Sequence, residues 1–552
     1  MSSRIVDASD VALSGGTDLV VLDGVGFGVT DVVRLADGDA RPVPGTDAMK
    51  RATESWDAAR QIAATGRVYG RSTGVGANRN EDVPTEAAAE HGLRLLRSHA
   101  GAIGDELPAR EVRAMLAVRA NQLLAGGAGL RPTVVTALCE ALENGVYPVV
   151  NEFGSVGTGD IAALAQVGLA LVGEHPWRGV GGVGGVAFGG RSTEGFGRGA
   201  VEEAGSRGAP APSARSLNGV HGPRALAGVP EPQPLDNNDA LALISSNALT
   251  LGQSALALHE LRGLIGATQV VGALSLLAVD GSHEPYAAPV HAARPHRGST
   301  EVARRMRELI GAADRPTPPL GRIQDPYGFR CLPQIHGPAH DAADALEEVL
   351  AIEINAAAEN PFISAEDMTA YHHGGFYQAQ LVLALDHFRL ALTQVARLST
   401  SRLSSLNEPS FTRLKPFLAD NEAASSGVMI LEYAAAAALG DLRAFSAPAS
   451  LGHAVLSRGV EEQASFASLA ARQTLRACRA YRLVVGCELV AAVRALRQRD
   501  LRPDPELPVG RALELAESVL DDETADRPLT DDVTAAAGLL DRFTEIWRGS
   551  TA

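Results

Sequence analysis

The chain has 552 residues, of which 45% are hydrophobic and 21% charged, with a formal net charge of −16. That composition is ordinary for a globular protein with a sizeable core, and the length admits one large helical core or two or more average domains. The acidic balance argues against nucleic acid and anionic membrane surfaces as partners.

The amino terminus, MSSRIVDASDVALSGG, lacks a basic segment followed by an apolar run, so no secretory signal is expected. Cys139, Cys331, Cys478 and Cys487 lie far apart with no CxxC pair, which predicts free thiols in a reducing compartment, the cytoplasm. Short β-branched runs at Val20-Val21 and Val32-Val33 open a mixed region. A helical pattern follows over 47–64, then a glycine-rich loop, VYGRSTGVGANRN, at 68–80. Leu93, Leu96, Ala100, Met115, Val118 and Leu123 keep helical spacing, so 87–144 reads as helical. The loop GSVGTGD at 154–160 leads into an apolar stretch ending near Val172.

From 175 to 238 the composition shifts to GVGGVGGVAFGG, APAPSARS and GVPEPQP, too rich in glycine and proline for a helix. GVGGVGG is not read as a phosphate cradle, because no strand precedes it and no amphipathic helix follows. Long helices are expected over about 239–279, from near Pro338 with Leu346, Val349, Leu350 and Ile354 on one side, and over 379–403, 426–444 and 467–498. The apolar stretches 161–172 and 264–279 fall short of the roughly 18–20 residues that span a bilayer and read as buried helices, so no membrane is expected. Twenty-five helical residues extend about 37 Å, which predicts lengthwise packing in a bundle. The expected division is an N-terminal region, 1–174; a Gly/Pro-rich insertion, 175–238; a helical bundle, 239–500; and a short C-terminal helical region, 501–552.

Motifs occur in a consistent order: VYGRSTGVG at 68–76, LLRSHAGAIG at 95–104, RANQLLAG at 119–126, GSVG at 154–157, QDPYGFRCLPQ at 324–334, ENPF at 359–362, SSGVMI at 425–430 and GVEEQAS at 459–465. On these the chain resembles, over nearly its whole length, the aromatic amino acid lyases, and among them the histidine ammonia-lyases. The resemblance implies a mainly α fold with a long central bundle and a smaller mixed N-terminal region. It further implies a homotetramer whose active sites each draw on three subunits, so that Tyr69 and Tyr327 come from different chains. Tyr69, Tyr327 and Glu461 fall on catalytic positions; His99, Arg330, Gln324, Ser245, Asn360 and Tyr377 fall on substrate-binding ones. Arg330 implies a carboxylated small molecule as substrate, gripped by a planar two-pronged contact.

The residues agree in part. Removing a weakly acidic carbon-bound proton needs a positioned base, and a tyrosinate serves if its pKa falls from about 10 toward neutrality. A nearby arginine favours the anion, and Arg330 is the natural candidate. Tyr69 lies in a glycine-rich loop that can scarcely pack a core, which favours function. A structural histidine would look identical to His99, and Glu461 beside Glu462 would otherwise read as a solvated face. His336 and His340 are separated by Pro338 with no third ligand evident, so no metal is expected.

The cofactor loop departs from the family pattern. There GSVG precedes Ala-Ser-Gly and then Asp; the tripeptide cyclises to the electrophile methylidene-imidazolone (MIO). Here only Thr158-Gly159 separates Gly157 from Asp160, one residue fewer, with Gly157 in place of alanine. Threonine has a hydroxyl to lose, which leaves an ethylidene version open, but its methyl crowds the reactive carbon and a deleted residue removes about 3.5 Å of reach. Ser245 stands where the family carries a supporting asparagine, and Phe376 and Gln378 replace its Asn and His. No cofactor is therefore expected. The leading reading is an MIO-independent lyase, isomerase or cyclase acting by tyrosine acid–base chemistry. The alternatives are an ammonia-lyase or aminomutase with a variant electrophile from Gly157-Thr158-Gly159, and a non-catalytic binding relative.

Overall fold

Residues 18–180, 226–317 and 321–549 are described by this computed structural model, and they are mainly α-helical. The readings of the amino terminus (1–17) and of most of the Gly/Pro-rich segment (181–225) fall outside the described residues. β1 (Leu19–Leu22) and β2 (Arg41–Pro44) pair in parallel. Between them Val32-Val33, expected extended, lie instead in α1 (Val29–Asp37), whose buried face is Val29, Val32, Val33, Leu35 and Ala36. Burial at three- and four-residue spacing overrode the β-branched preference of the valines. α2 (Thr46–Thr65) matches the expected helix closely.

The region read as helical over 87–144 is divided into α3 (Ala88–His99), β3 (Ile103–Glu106), α4 (Ala109–Leu124) and α5 (Thr133–Glu143). Gly104, at φ +87°, and Pro108, the residue before α4, break the pattern. β4 (Val146–Pro148) pairs antiparallel with β6 (Trp177–Gly179), and β5 (Asn151–Phe153) with β3. α6 (Ile161–Leu171) follows the GSVGTGD loop.

The helix expected over 239–279 is broken into α7 (Ala240–Ile244) and α8 (Ala248–Ala278). At the break the Ser246 carbonyl accepts from the Asp160 N–H at 2.7 Å, and the Asn247 side chain accepts from the Gly159 N–H at 3.0 Å. The Ser246 carbonyl, which a continuous helix would have bonded internally, is thus taken by a tertiary hydrogen bond. Contrary to the sequence reading, 240–278 holds an 18-residue window apolar enough by composition to cross a bilayer, and 89% of that window is buried inside the fold.

The chain continues through α9 (Arg297–Ile310), α10 (Leu332–Glu353), α11 (Ala379–Leu406), α12 (Ile430–Phe445), α13 (Ala467–Gln498), α14 (Pro508–Glu517) and α15 (Thr530–Arg548). A two-stranded hairpin, β7 (Phe362–Ser364) with β8 (Thr369–Tyr371), precedes α11. α10 starts before Pro338, which lies inside it on the exposed side; Pro333 takes the first-turn position instead. α8 is the axis of the bundle, packed along α4, α10, α13 and α15. All of its residues but His259, Glu260, Arg262 and Leu277 are buried, so it offers almost no solvent face. The close approach of α15 depends on Gly266, where a Cβ would lie 2.5 Å from the Trp547 ring.

A polar network crosses this core. The Glu488 carboxylate, fully buried, accepts from Arg402 Nε (2.6 Å) and Nη2 (2.8 Å), Ser275 Oγ (2.7 Å) and Ser399 Oγ (2.5 Å). Nearby on α10, His336 is fully buried and neither ring nitrogen has a hydrogen-bond partner. Burial, then the charge of Arg402, then His340 push its pKa well below the ordinary value. His340 is pushed down to about 4, chiefly by burial.

A histidine with a depressed folded pKa is neutral in the fold, while the unfolded chain takes up its proton near pH 6.5. Its contribution to stability is therefore present above that pH and is lost as pH falls. We expect the urea midpoint to drop between pH 6.5 and 5, at roughly 1.4 kcal/mol per pH unit for each such histidine. His336→Leu should flatten this slope; parallel wild-type and variant curves would refute the assignment.

Candidate active site

A cavity of about 670 Å³ lies where five loops meet: 67–80, 158–161, the α7–α8 break, 360–377 and 460–463. Tyr69 enters it from the first. That loop is held from beneath by Arg71, 1% exposed, which donates to the carbonyls of Asn238 (2.7 Å), Ala128 (2.7 Å) and Gly129 (3.2 Å). The Tyr69 hydroxyl accepts from the Gly76 N–H at 2.8 Å, and His372 stands edge-on to its ring at 6.4 Å. Burial raises the Tyr69 pKa above its ordinary value; the Gly76 hydrogen bond lowers it, Glu461 raises it and Arg79 lowers it. Within this chain Arg79 is the cation that lowers the Tyr69 pKa, and Arg67 also lines the cavity.

Glu461 lines the cavity with Glu462 and Gln463. Its turn is pinned to the Tyr69 loop by Ser457, whose Oγ accepts from the Ala77 N–H at 3.0 Å. Ser245, Asn360 and Tyr377 also line the cavity. Ser245 Oγ accepts from the Asn360 N–H at 3.0 Å, and Asn360 Oδ1 accepts from the His373 N–H at 3.0 Å.

Thr158 and Gly159 form part of the wall. The preceding residues are docked onto the start of α13. Ser468 Oγ donates to the Ser155 carbonyl (2.8 Å), the Phe466 N–H to Val156 (2.7 Å) and Ser465 Oγ to Gly157 (2.6 Å). Gly157 sits at φ +86°, and a Cβ there would lie 2.2 Å from Ser465 Oγ and 2.6 Å from the Ala467 nitrogen. Only glycine meets both conditions, which accounts for the replacement of alanine. Asn247 holds the other side of the loop: Oδ1 accepts from the Gly159 N–H, and Nδ2 donates to the Phe376 carbonyl at 2.8 Å. Asp160, fully buried, accepts from the Thr250 N–H (2.8 Å) and hydroxyl (2.9 Å), and burial raises its pKa.

Four expected site residues do not line this cavity: His99, Gln324, Tyr327 and Arg330. His99 Nδ1 lies 2.9 Å from the Leu95 carbonyl, closing the last turn of its own helix. Tyr327 is 66% exposed, and the Arg330 guanidinium stacks over its ring at 4.4 Å on the one-turn helix Tyr327–Arg330. The structure therefore brings together Tyr69, Glu461, Ser245, Asn360, Tyr377 and Thr158-Gly159, and keeps Tyr327 with Arg330 elsewhere on the surface. Sequence reasoning missed Arg79, His372, Ser465 and Asn247. The last was the most findable, two residues beyond the position where the family motif carries its asparagine.

Solved structures share this architecture. Histidine ammonia-lyase from Trypanosoma cruzi superposes with a TM-score of 0.80 at 25% identity, covering 96% of this chain and 95% of that one. The ergothioneine-degrading enzyme ergothionase from Treponema denticola gives a TM-score of 0.81 at 24% identity, over 96% and 99% of the two chains, which speaks to the fold alone. The chain is thus of the helical ammonia-lyase fold. The aromatic amino acid lyase family model matches residues 27–518, and a histidine ammonia-lyase of Geobacillus kaustophilus (strain HTA426) is 33% identical over 488 residues, 87% of this chain and 89% of that protein. The chain belongs to the aromatic amino acid lyase family and is an enzyme of that family.

Proposed function

We propose that this enzyme works without the MIO electrophile, as a lyase, isomerase or cyclase in which Tyr69 moves a proton on a carboxylated, amino-acid-derived small molecule. The observation that carries this reading is the bonding of the degenerate loop. Ring closure would join the Gly159 nitrogen to the Gly157 carbonyl carbon, the Gly157 oxygen leaving as water with the hydrogens of the Gly159 and Thr158 nitrogens. The Gly159 N–H and the Gly157 oxygen are both hydrogen-bonded in the open chain, to Asn247 Oδ1 (3.0 Å) and from Ser465 Oγ (2.6 Å). Closure would break both bonds beside buried groups, at about 1–3 kcal/mol for each group left unpaired. The residues at 157–159 therefore fit an open peptide better than the cyclised group.

The acid–base half of the site supports the same reading, since Tyr69 and Glu461 converge on one cavity with Ser245, Asn360 and Tyr377. The exposed Tyr327, with half-buried Arg330 stacked on it, supports a homotetramer in which these residues of one copy complete the cavity of another and Arg330 holds the substrate carboxylate. Four free cysteines support a cytoplasmic enzyme. Intact mass with peptide mapping over 151–174 tests the central claim. We expect an unmodified mass; a deficit of two water molecules at Gly157-Thr158-Gly159 would replace this reading with a variant-electrophile ammonia-lyase or aminomutase.

A further inference from the structure

Two arginines reach the cavity, and their situations differ. Arg67 is committed: its Nε pairs with Asp82 at 2.7 Å, and its Nη2 donates to the Asn80 carbonyl at 2.9 Å. Arg79 makes one long contact, 3.5 Å from Nη1 to the Gly76 carbonyl, and among the described residues no carboxylate lies within ion-pair distance of it. It follows the one-turn helix Gly76–Asn78 directly, and the first N–H of that turn is the donor to the Tyr69 hydroxyl. The exposed Arg79 guanidinium and the Tyr69 phenol thus meet the same residue, Gly76, at its carbonyl and its N–H.

The charged and titratable groups around Tyr69 come from four places. Arg79 is on the helical turn and Arg67 at the start of the Tyr69 loop; Glu461 and Glu462 come from the turn held by Ser457, and His372 and Tyr377 from the segment after β8. Ionising Tyr69 places a second negative charge near Glu461 in a partly buried site. Such a charge needs a cation, and Arg67 is already neutralised by Asp82. An arginine side chain has the length and the rotatable bonds to turn from a 3.5 Å carbonyl contact to an adjacent phenolate.

We propose that Arg79 is the counter-ion of the Tyr69 phenolate, a positioning residue that offsets Glu461 when the base ionises. This rests on the reading of Tyr69 as the base. It assigns part of the tuning of that base to the same chain and the same loop, where Arg79 works against burial and Glu461, which hold the Tyr69 pKa above its ordinary value.

The test needs no substrate. Tyrosinate absorbance is titrated in the full-length assembled protein, and subtraction of the Tyr69→Phe curve isolates Tyr69. An opposite charge at 4–6 Å is worth roughly 1–3 pH units. Arg79→Gln should therefore raise the Tyr69 midpoint by about one unit or more, Arg79→Lys should restore most of the difference, and Glu461→Gln should lower the midpoint. An unchanged midpoint in Arg79→Gln overturns the proposal, as does an equal shift in the Gln and Lys variants, which would mark a structural role. The two readings fail separately. If Tyr69→Phe retains turnover while Arg79→Gln shifts the midpoint, Tyr69 is not the base but Arg79 is still its counter-ion; a dead Tyr69→Phe with an unmoved midpoint is the reverse.

Discussion

Tyr69→Phe should lose turnover by roughly 10²–10⁴-fold, the usual contribution of a positioned acid–base group, while keeping its fold and assembly. The change removes one oxygen. The ring keeps its packing against His372, and the single bond lost is the one from the Gly76 N–H. Leaving that donor without its partner in a half-buried loop costs about 1 kcal/mol, too little to unfold a core of this size. Chemistry and stability are therefore separable in this variant. The assay is conversion of the first carboxylated amino-acid derivative that a substrate screen identifies, with thermal melting and native mass alongside. Retained turnover excludes Tyr69 as the proton carrier. A wild-type protein that binds such compounds tightly and converts none would instead be a non-catalytic relative.

The second large effect concerns the core. Glu488→Ala should destabilise the protein by about 3–5 kcal/mol, because it leaves the Arg402 guanidinium buried, charged and without its carboxylate. Arg402 is fully buried, and among the described residues its only other hydrogen bond is one of 3.3 Å from Nη1 to the Gly328 carbonyl. The hydroxyls of Ser275 and Ser399 would lose their acceptor as well. Replacing both partners by apolar residues, Arg402→Met with Glu488→Leu, should recover much of the loss, since the desolvation cost of both charges disappears with them. Urea midpoints for the two single variants and the double variant form the cycle that measures this. A Glu488→Ala variant within about 0.5 kcal/mol of wild type would show that water or a rearranged side chain satisfies Arg402.

Much of the architecture was legible in the sequence because long apolar helices announce themselves by period. The helix 467–498 was read at its observed ends, and 379–403 stopped only three residues short of Leu406. Errors arose where tertiary contacts overruled local pattern. Val32-Val33 carry an extended preference, yet their burial belongs to a helix; the α7–α8 break is written in hydrogen bonds to Asp160 and Gly159, which no local window contains. The site divided the same way. Tyr69, Glu461, Ser245, Asn360 and Tyr377 were found through motifs and do share a cavity. Arg79 and Ser465 were not, because their significance is only spatial: one borders Tyr69 through a turn, and the other lies 308 positions from the carbonyl it meets. Tyr327 and Arg330 are expected to meet Tyr69 from a different chain, and within one chain they lie outside its cavity.

The docking of three successive carbonyls onto the start of α13 bears on redesign. Restoring the missing residue upstream of Thr158, or an alanine at 157, is not a local edit. The added Cβ meets the backbone of Ala467, and a longer loop loses its register against Ser465, Phe466 and Ser468 together. The same segment of chain carries Glu461 a few residues earlier, so shifting the start of α13 to make room would also move a carboxylate of the cavity. Any engineered route back to an electrophile must therefore change two distant stretches in one step, and drift at either stretch is restrained by the other.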